Sequence, residues 1–173
     1  MRYIIALLLF VATLLGGQNV SLEEKPKAML EKISHNAINI GTGHMSDVYV
    51  FLDPLCSSSR TLMKQINANK LLQLSNTYHI FLYRLPRLDS EKTMQYIYQS
   101  DNPQKSLIEI MVDGDEVDLA DFKANEKTLK MLVEVSEVAK KLDMKLRPYM
   151  ISFDKDSKYC RVSEGTASCL EEF

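Results

Sequence analysis

Val48-Tyr49-Val50-Phe51-Leu52 is an unbroken apolar run rich in branched and aromatic residues, and it gives way at Asp53-Pro54 to a segment with helical periodicity. The run reads as a buried strand and the following segment as a helix, with Cys56 at the corner between them. A helix start presents unpaired backbone N–H groups and about half a positive charge, which favours a thiolate placed there. Three positions further on, where a second sulfur would complete a dithiol site, stands Ser59. Cys56 is therefore read as a reactive, partly exposed nucleophile without a resolving neighbour, against the plainer reading of an inert buried cysteine.

The bounds on the chain come from its ends and its charge. Residues 1–17 hold one cation, Arg2, then an apolar stretch from Tyr3 to Leu15 that stops at Gly16-Gly17. That stretch is short of the about 20 residues a membrane helix needs, so it reads as a secretory signal and the protein as periplasmic, with an uncleaved anchor as the alternative. The rest of the 173 residues suits one domain. A formal net charge of −2 indicates no nucleic-acid footprint. Export into an oxidising compartment lets disulfides persist. Of the three cysteines, Cys160 and Cys169 lie close in sequence and are read as a structural disulfide, with a role for one of them in resolving Cys56 as the alternative.

Residues 18–46 read as a linker helix, starting near Ser21 and Glu24, carrying Met29, Leu30, Ile33 and Ile38, and ending at Gly41-Thr42-Gly43. A strand is expected over Asp47 to Leu52. A single helix is then expected from about Cys56 to Leu74, with Leu62, Met63, Ile66, Leu71 and Leu72 inward, and a second strand over His79 to Tyr83. Residues 88–145 read as a helical insert. Its last helix begins near Ala124-Asn125-Glu126 and places Leu129, Leu132, Val133, Val138 and Leu142 on one side. Arg147-Pro148 leads into a strand ending at Phe153, a turn over Asp154 to Ser157, a returning strand over Tyr159 to Val162 and a short helix from Thr166.

That order of elements is the α/β arrangement of a thioredoxin-like fold with a helical insertion between the two halves of a central mixed sheet. Phe51-Leu52-Asp53-Pro54 before Cys56 resembles the opening motif of the periplasmic disulfide isomerases of the DsbC/DsbG type. Tyr83-Arg84-Leu85-Pro86 with Leu88-Asp89-Ser90 resembles their second strand and the start of their insert, and Met29 to Ile40 resembles their linker helix. No counterpart of the dimerisation domain of those isomerases is expected from these residues, so their dimer is not carried over. The resemblance implies that Pro148 is a cis proline beside the reactive sulfur, that Asp53 and Pro54 shape the turn, and that exported proteins or peptides with cysteines are the substrates. Arg147 departs from the small residue usual before that proline, and a guanidinium there would tune the charge at the sulfur or hold an anionic partner. A membrane thiol reductase is the candidate donor for keeping Cys56 reduced.

Ser59 decides which chemistry is open. A serine oxygen forms no stable bond to sulfur, so Cys56-Ser57-Ser58-Ser59 cannot store two oxidising equivalents, whereas isomerisation needs one thiolate and a thiol of the substrate to release it. The serines otherwise cap the helix start, with a lesser role for Ser59 in hydrogen-bonding the thiolate. No cofactor is indicated. His35, His44 and His79 are scattered, no metal pattern is present, and the acidic residues Asp113, Asp115, Glu116, Asp118 and Asp121 match a calcium loop poorly. Arg84, Arg87 and Arg147 form a candidate positive rim. Tyr96, Tyr98 and Met94 read as core. The leading expectation is thiol-disulfide exchange through Cys56, as an isomerase or mixed-disulfide carrier. The rival is a binding or chaperone module that keeps the fold without the redox chemistry.

Overall fold

A computed structural model describes residues 26–154 and 160–165. Helix α1 (Pro26–Lys32) and a 3-10 turn (Ser34–Asn36) lead into strand β1 (Ile38–Ile40) and then β2 (Ser46–Leu52). Helices α2 (Ser57–Ala68) and α3 (Lys70–Ser75) precede β3 (Asn76–Leu82). The insert holds α4 (Glu91–Gln99), α5 (Pro103–Ile108), a π-helical turn (Glu109–Asp113) and α6 (Glu126–Lys141), before β4 (Tyr149–Asp154) and β5 (Cys160–Glu164). The five strands form one sheet in the order β1-β3-β2-β4-β5. Strands β2 and β3 run parallel and every other neighbouring pair antiparallel, so the sheet is mixed as the sequence implies.

Strand β2 is central, which is why its sequence is apolar without alternation: both of its faces are covered. Successive side chains point to opposite faces. Val48, Val50 and Leu52 join Leu62, Met63 and Ile66 of α2 and Met94, Ile97 and Tyr98 of α4 in one core. Tyr49 and Phe51 join Met29, Leu30 and Ile33 of the α1 region and Val135, Val138 and Ala139 of α6 in the other. Met94 and Tyr98 are thus core, and Tyr96 packs edge-on against Phe122 with ring centroids 5.8 Å apart.

The structure corrects four local expectations. Ile38-Asn39-Ile40 is not the tail of a linker helix. It is an edge strand with buried isoleucines flanking an exposed asparagine, and Ile38 pairs with Ile80. The expected helix from Cys56 to Leu74 is two helices. The Asn69 side chain accepts the N–H groups of Leu71 and Leu72 at 3.1 and 3.2 Å, capping a new start, and Leu71 turns outward at 75% exposure. Helix α6 buries Thr128, Val135, Val138 and Ala139, while Leu129 and Val133 stay exposed, because its sheet-facing side is set by the α1 side of the sheet. Strand β3 begins at Asn76, before the expected His79.

The loop between β1 and β2 is pressed against the junction of α3 and β3. A Cβ on Gly43 would lie 1.9 Å from the Ser75 carbonyl carbon and 2.2 Å from the Asn76 nitrogen, so only glycine fits. The signal segment 1–17, the helix start at Ser21, Cys169 and the helix from Thr166 lie outside the described residues, as does the Cys160–Cys169 bridge. The Cys160 backbone pairs with Phe153 in the β4–β5 hairpin.

Candidate functional site

The site forms where β2 ends. Asp53 is fully buried, and its carboxylate gathers the chain around the corner. Oδ1 accepts the Leu55 N–H at 2.9 Å, an Asx turn that bends the backbone toward α2. Oδ2 accepts the Leu85 N–H at 2.6 Å and the Ser90 hydroxyl at 2.9 Å, tying the corner to the segment after β3. The Asp53 carbonyl accepts the Cys56 N–H at 3.0 Å. The proline ring of Pro54 fixes φ in the middle of this turn, and its carbonyl accepts the Arg60 Nε–H at 2.7 Å.

Cys56 is the N-cap residue of α2, in extended conformation, and no acidic residue occupies the first turn of that helix. A thiolate formed there faces the positive end of the α2 dipole. Cys56 is free. Its Sγ donates to the Arg147 carbonyl across 3.6 Å, and the Arg147–Pro148 peptide is cis. The topology thereby brings together two segments 91 residues apart. Pro148 is anchored on its other side, its carbonyl accepting the Gly165 N–H at 2.7 Å. Cys56 itself is only 6% exposed, less than three following serines suggest. The sulfur is recessed in a cleft of about 230 Å³ lined by Leu55, Ser57, Ser58, Arg87, Leu146 and Arg147 among others.

Two site residues play parts other than those expected. Ser59 is fully buried, and its hydroxyl accepts the Asp53 N–H at 3.3 Å, so this oxygen braces the β2–α2 corner instead of serving the sulfur. Arg147 meets the sulfur with its carbonyl. Its guanidinium, buried and in need of acceptors, donates to the carbonyls of Tyr83 at 3.1 Å and Leu146 at 2.6 Å. It also lies 3.8 Å from the centroid of the Tyr83 ring. Burial lowers the pKa of this guanidinium, and its neighbours Tyr83, Asp53 and Glu164 oppose that. An arginine stays protonated regardless.

The predicted positive rim divides. Arg87 lines the cleft of Cys56, Arg147 is buried beneath it, and Arg84 belongs to a separate groove of about 500 Å³ between α6 and the segment after β3. Sequence patterning gives no signal for Leu55 and Leu146, exposed at 39% and 48% beside the sulfur, or for Tyr83 as the seat of Arg147. Ser90 is legible as a helix start, yet its hydroxyl serves Asp53 and caps nothing in α4. Among the described residues no three His, Cys, Asp or Glu side chains are placed to share a metal ion, and no helix is long and apolar enough to cross a membrane. Gly114, at φ 85°, ends the π-helical turn, with its N–H and that of Asp115 both donating to the Glu109 carbonyl.

No protein-family model and no curated protein sequence matches this chain. Solved structures do. A disulfide interchange protein from Neisseria gonorrhoeae superposes with a TM-score of 0.61 at 17% identity, covering 80% of this chain and 93% of that one. The catalytic domain of Proteus mirabilis ScsC gives 0.63 at 15% identity over 85% and 93%. A thioredoxin-like oxidoreductase from Silicibacter pomeroyi DSS-3 gives 0.56 at 13% identity over 82% and 93%. With a mixed five-stranded sheet, a helical insert between β3 and β4, and a cysteine capping the helix that follows the central strand, the chain has the thioredoxin-like fold.

Proposed function

We propose that this protein carries out thiol-disulfide exchange with Cys56 as its single nucleophile, acting on exported proteins or peptides as an isomerase or mixed-disulfide carrier. The observation that carries this reading is the placement of the Cys56 sulfur 3.6 Å from the Arg147 carbonyl, next to the cis Pro148 and at the floor of an open cleft. Structural neighbours described as disulfide interchange and disulfide isomerase proteins support it. The DsbC/DsbG affinity rests on the Phe51-Leu52-Asp53-Pro54 opening, and export rests on residues 1–17.

The chemistry balances with one enzyme sulfur. The Cys56 thiolate bonds to one sulfur of a substrate disulfide as that disulfide breaks, and the departing sulfur takes the electron pair and then a proton. A thiol of the same substrate next attacks the mixed disulfide, forms the rearranged bridge and returns Cys56 as thiolate. No net oxidation occurs, and Ser59 needs no part in it.

Refolding of scrambled ribonuclease by the full chain and by Cys56→Ala tests this. Recovery of ribonuclease activity that depends on Cys56, with a transient substrate adduct on that residue by mass spectrometry, is expected. Equal behaviour of the two proteins overturns the redox reading in favour of a binding module, which the recessed sulfur and the serine at position 59 would then serve.

A further inference from the structure

The walls of the Cys56 cleft differ in kind around its rim. Leu55 and Leu146 stand exposed, Leu88 is half-buried, and Leu85 is buried. Against these apolar groups the lining carries two arginines. The guanidinium of Arg147 is buried and committed to the carbonyls of Tyr83 and Leu146. Arg87 is exposed, and among the described residues it has no hydrogen bond, ion pair or ring contact. The nearby carboxylates are already engaged: Asp53 by three donors, and Glu164 by the N–H groups of Lys145 and Leu146. Asp89, two residues from Arg87, does not line the cleft.

The geometry points to Arg87 as a specificity residue that selects substrates bearing a carboxylate within a residue or two of the reactive cysteine, with an apolar neighbour packing on Leu55 and Leu146. This rests on the exchange reading above and names the substrate class for it. An arginine in a concave apolar setting keeps its charge and offers several donors in a planar fork suited to a carboxylate. The residues lining the cleft include no carboxylate to compete for it, so an acidic substrate side chain gains a charged partner on binding at little desolvation cost to the exposed Arg87. A substrate with a basic residue in that place meets like charge instead. Discrimination of this kind acts on the encounter and on the mixed disulfide alike.

Two tetrapeptide amides test it, acetyl-Leu-Cys-Glu-Ala and acetyl-Leu-Cys-Gln-Ala, each carrying its cysteine as a mixed disulfide with 2-thiopyridine. The Cys56 thiolate bonds to the peptide sulfur, the bond to the pyridyl sulfur breaks, and pyridine-2-thione leaves with the electron pair and takes up a proton. Its absorbance gives the rate for the full chain. The wild type is expected to react with the glutamate peptide about 5-fold faster, the ratio that an ion pair of about 1 kcal/mol produces. Arg87→Gln is expected to bring the two rates together and Arg87→Glu to reverse their order. Equal rates in the wild type, or a preference that survives in Arg87→Gln, overturns the selectivity while leaving exchange intact. Failure of both peptides to form an adduct on Cys56 overturns the exchange chemistry and the selectivity together.

Discussion

The Ser90 hydroxyl donates to Oδ2 of Asp53 across 2.9 Å, linking the N-cap residue of α4 to the residue that follows the central strand. Through this carboxylate the corner carrying Cys56 and the segment carrying Leu85 and Arg87 are held as one piece. Replacing Asp53 by Ala removes the acceptor for two N–H groups and one hydroxyl, each costing about 1 to 3 kcal/mol when buried unpaired. A loss of about 3 to 5 kcal/mol in urea unfolding is expected. Ser90→Ala, which removes one of three donors, is expected to cost about 1 kcal/mol.

Ser59 makes a different prediction. Its hydroxyl braces the Asp53 N–H from a fully buried position, so Ser59→Ala is expected to lower stability by about 1 to 2 kcal/mol without abolishing adduct formation at Cys56. Ser59→Cys restores the second sulfur of a dithiol motif. The expected outcome is an internal bridge between Cys56 and the introduced thiol after mild oxidation, detected by peptide mapping, with gain of insulin-reducing activity. A variant that keeps both thiols free in oxidant would show that the corner cannot bring the two sulfurs together.

Gly43 tests the packing beneath the sheet. A methyl group there meets backbone atoms of Ser75 and Asn76 at 1.9 to 2.2 Å, and neither can move without shifting the start of β3. Gly43→Ala is expected to destabilise the fold by at least about 2 kcal/mol, or to prevent its accumulation, whereas Gly114→Ala, with open space around it, bears only the strain of its left-handed φ. Thermal melts of the two variants give the comparison.

Acid stability turns in part on Glu134. The Asn36 side chain, donating to its Oε2 at 2.7 Å, is the largest cause holding the Glu134 pKa below its ordinary 4.5, with the His35 and Lys130 charges adding to it against a desolvation penalty. A carboxylate with a depressed folded pKa contributes stability that is present above its unfolded value and is lost as pH falls through the folded one. Unfolding midpoints between about pH 5 and pH 2 should therefore fall less steeply in Glu134→Gln than in the wild type. The effect is modest, since this side chain is 31% exposed and screened by solvent.

What the sequence disclosed follows from how locally each feature is determined. The β2–α2 corner was legible because a strand covered on both faces carries its own unbroken apolar run, and because Asp53-Pro54 ends it. Strand β1 was hidden since Ile38-Asn39-Ile40 is too short to tell a period of two from one of 3.6. The break at Asn69 was hidden because a capping asparagine inside a helical pattern reads as one more polar position. In α6 the apolar set was visible, but which of its faces is covered depends on α1 and the sheet, which lie far away in sequence. At the site, Cys56 was legible from its place at the corner, and Pro148 was named through a family resemblance. The direction of the Arg147 side chain was not legible, because it answers to the Tyr83 ring and carbonyl, partners that only the folded chain supplies.

Alternate residues of β2 serve opposite cores, and this makes the alignment of that strand an all-or-nothing matter. Sliding it by one place against β3 and β4 would hand Tyr49 and Phe51 to the space fitted to Val48, Val50 and Leu52, and the reverse. It would also carry the sulfur about 3.3 Å along the strand axis, out of reach of the carbonyl it now meets. Bulky side chains buried well behind the cleft thus act as the vernier that sets where the thiol comes to rest.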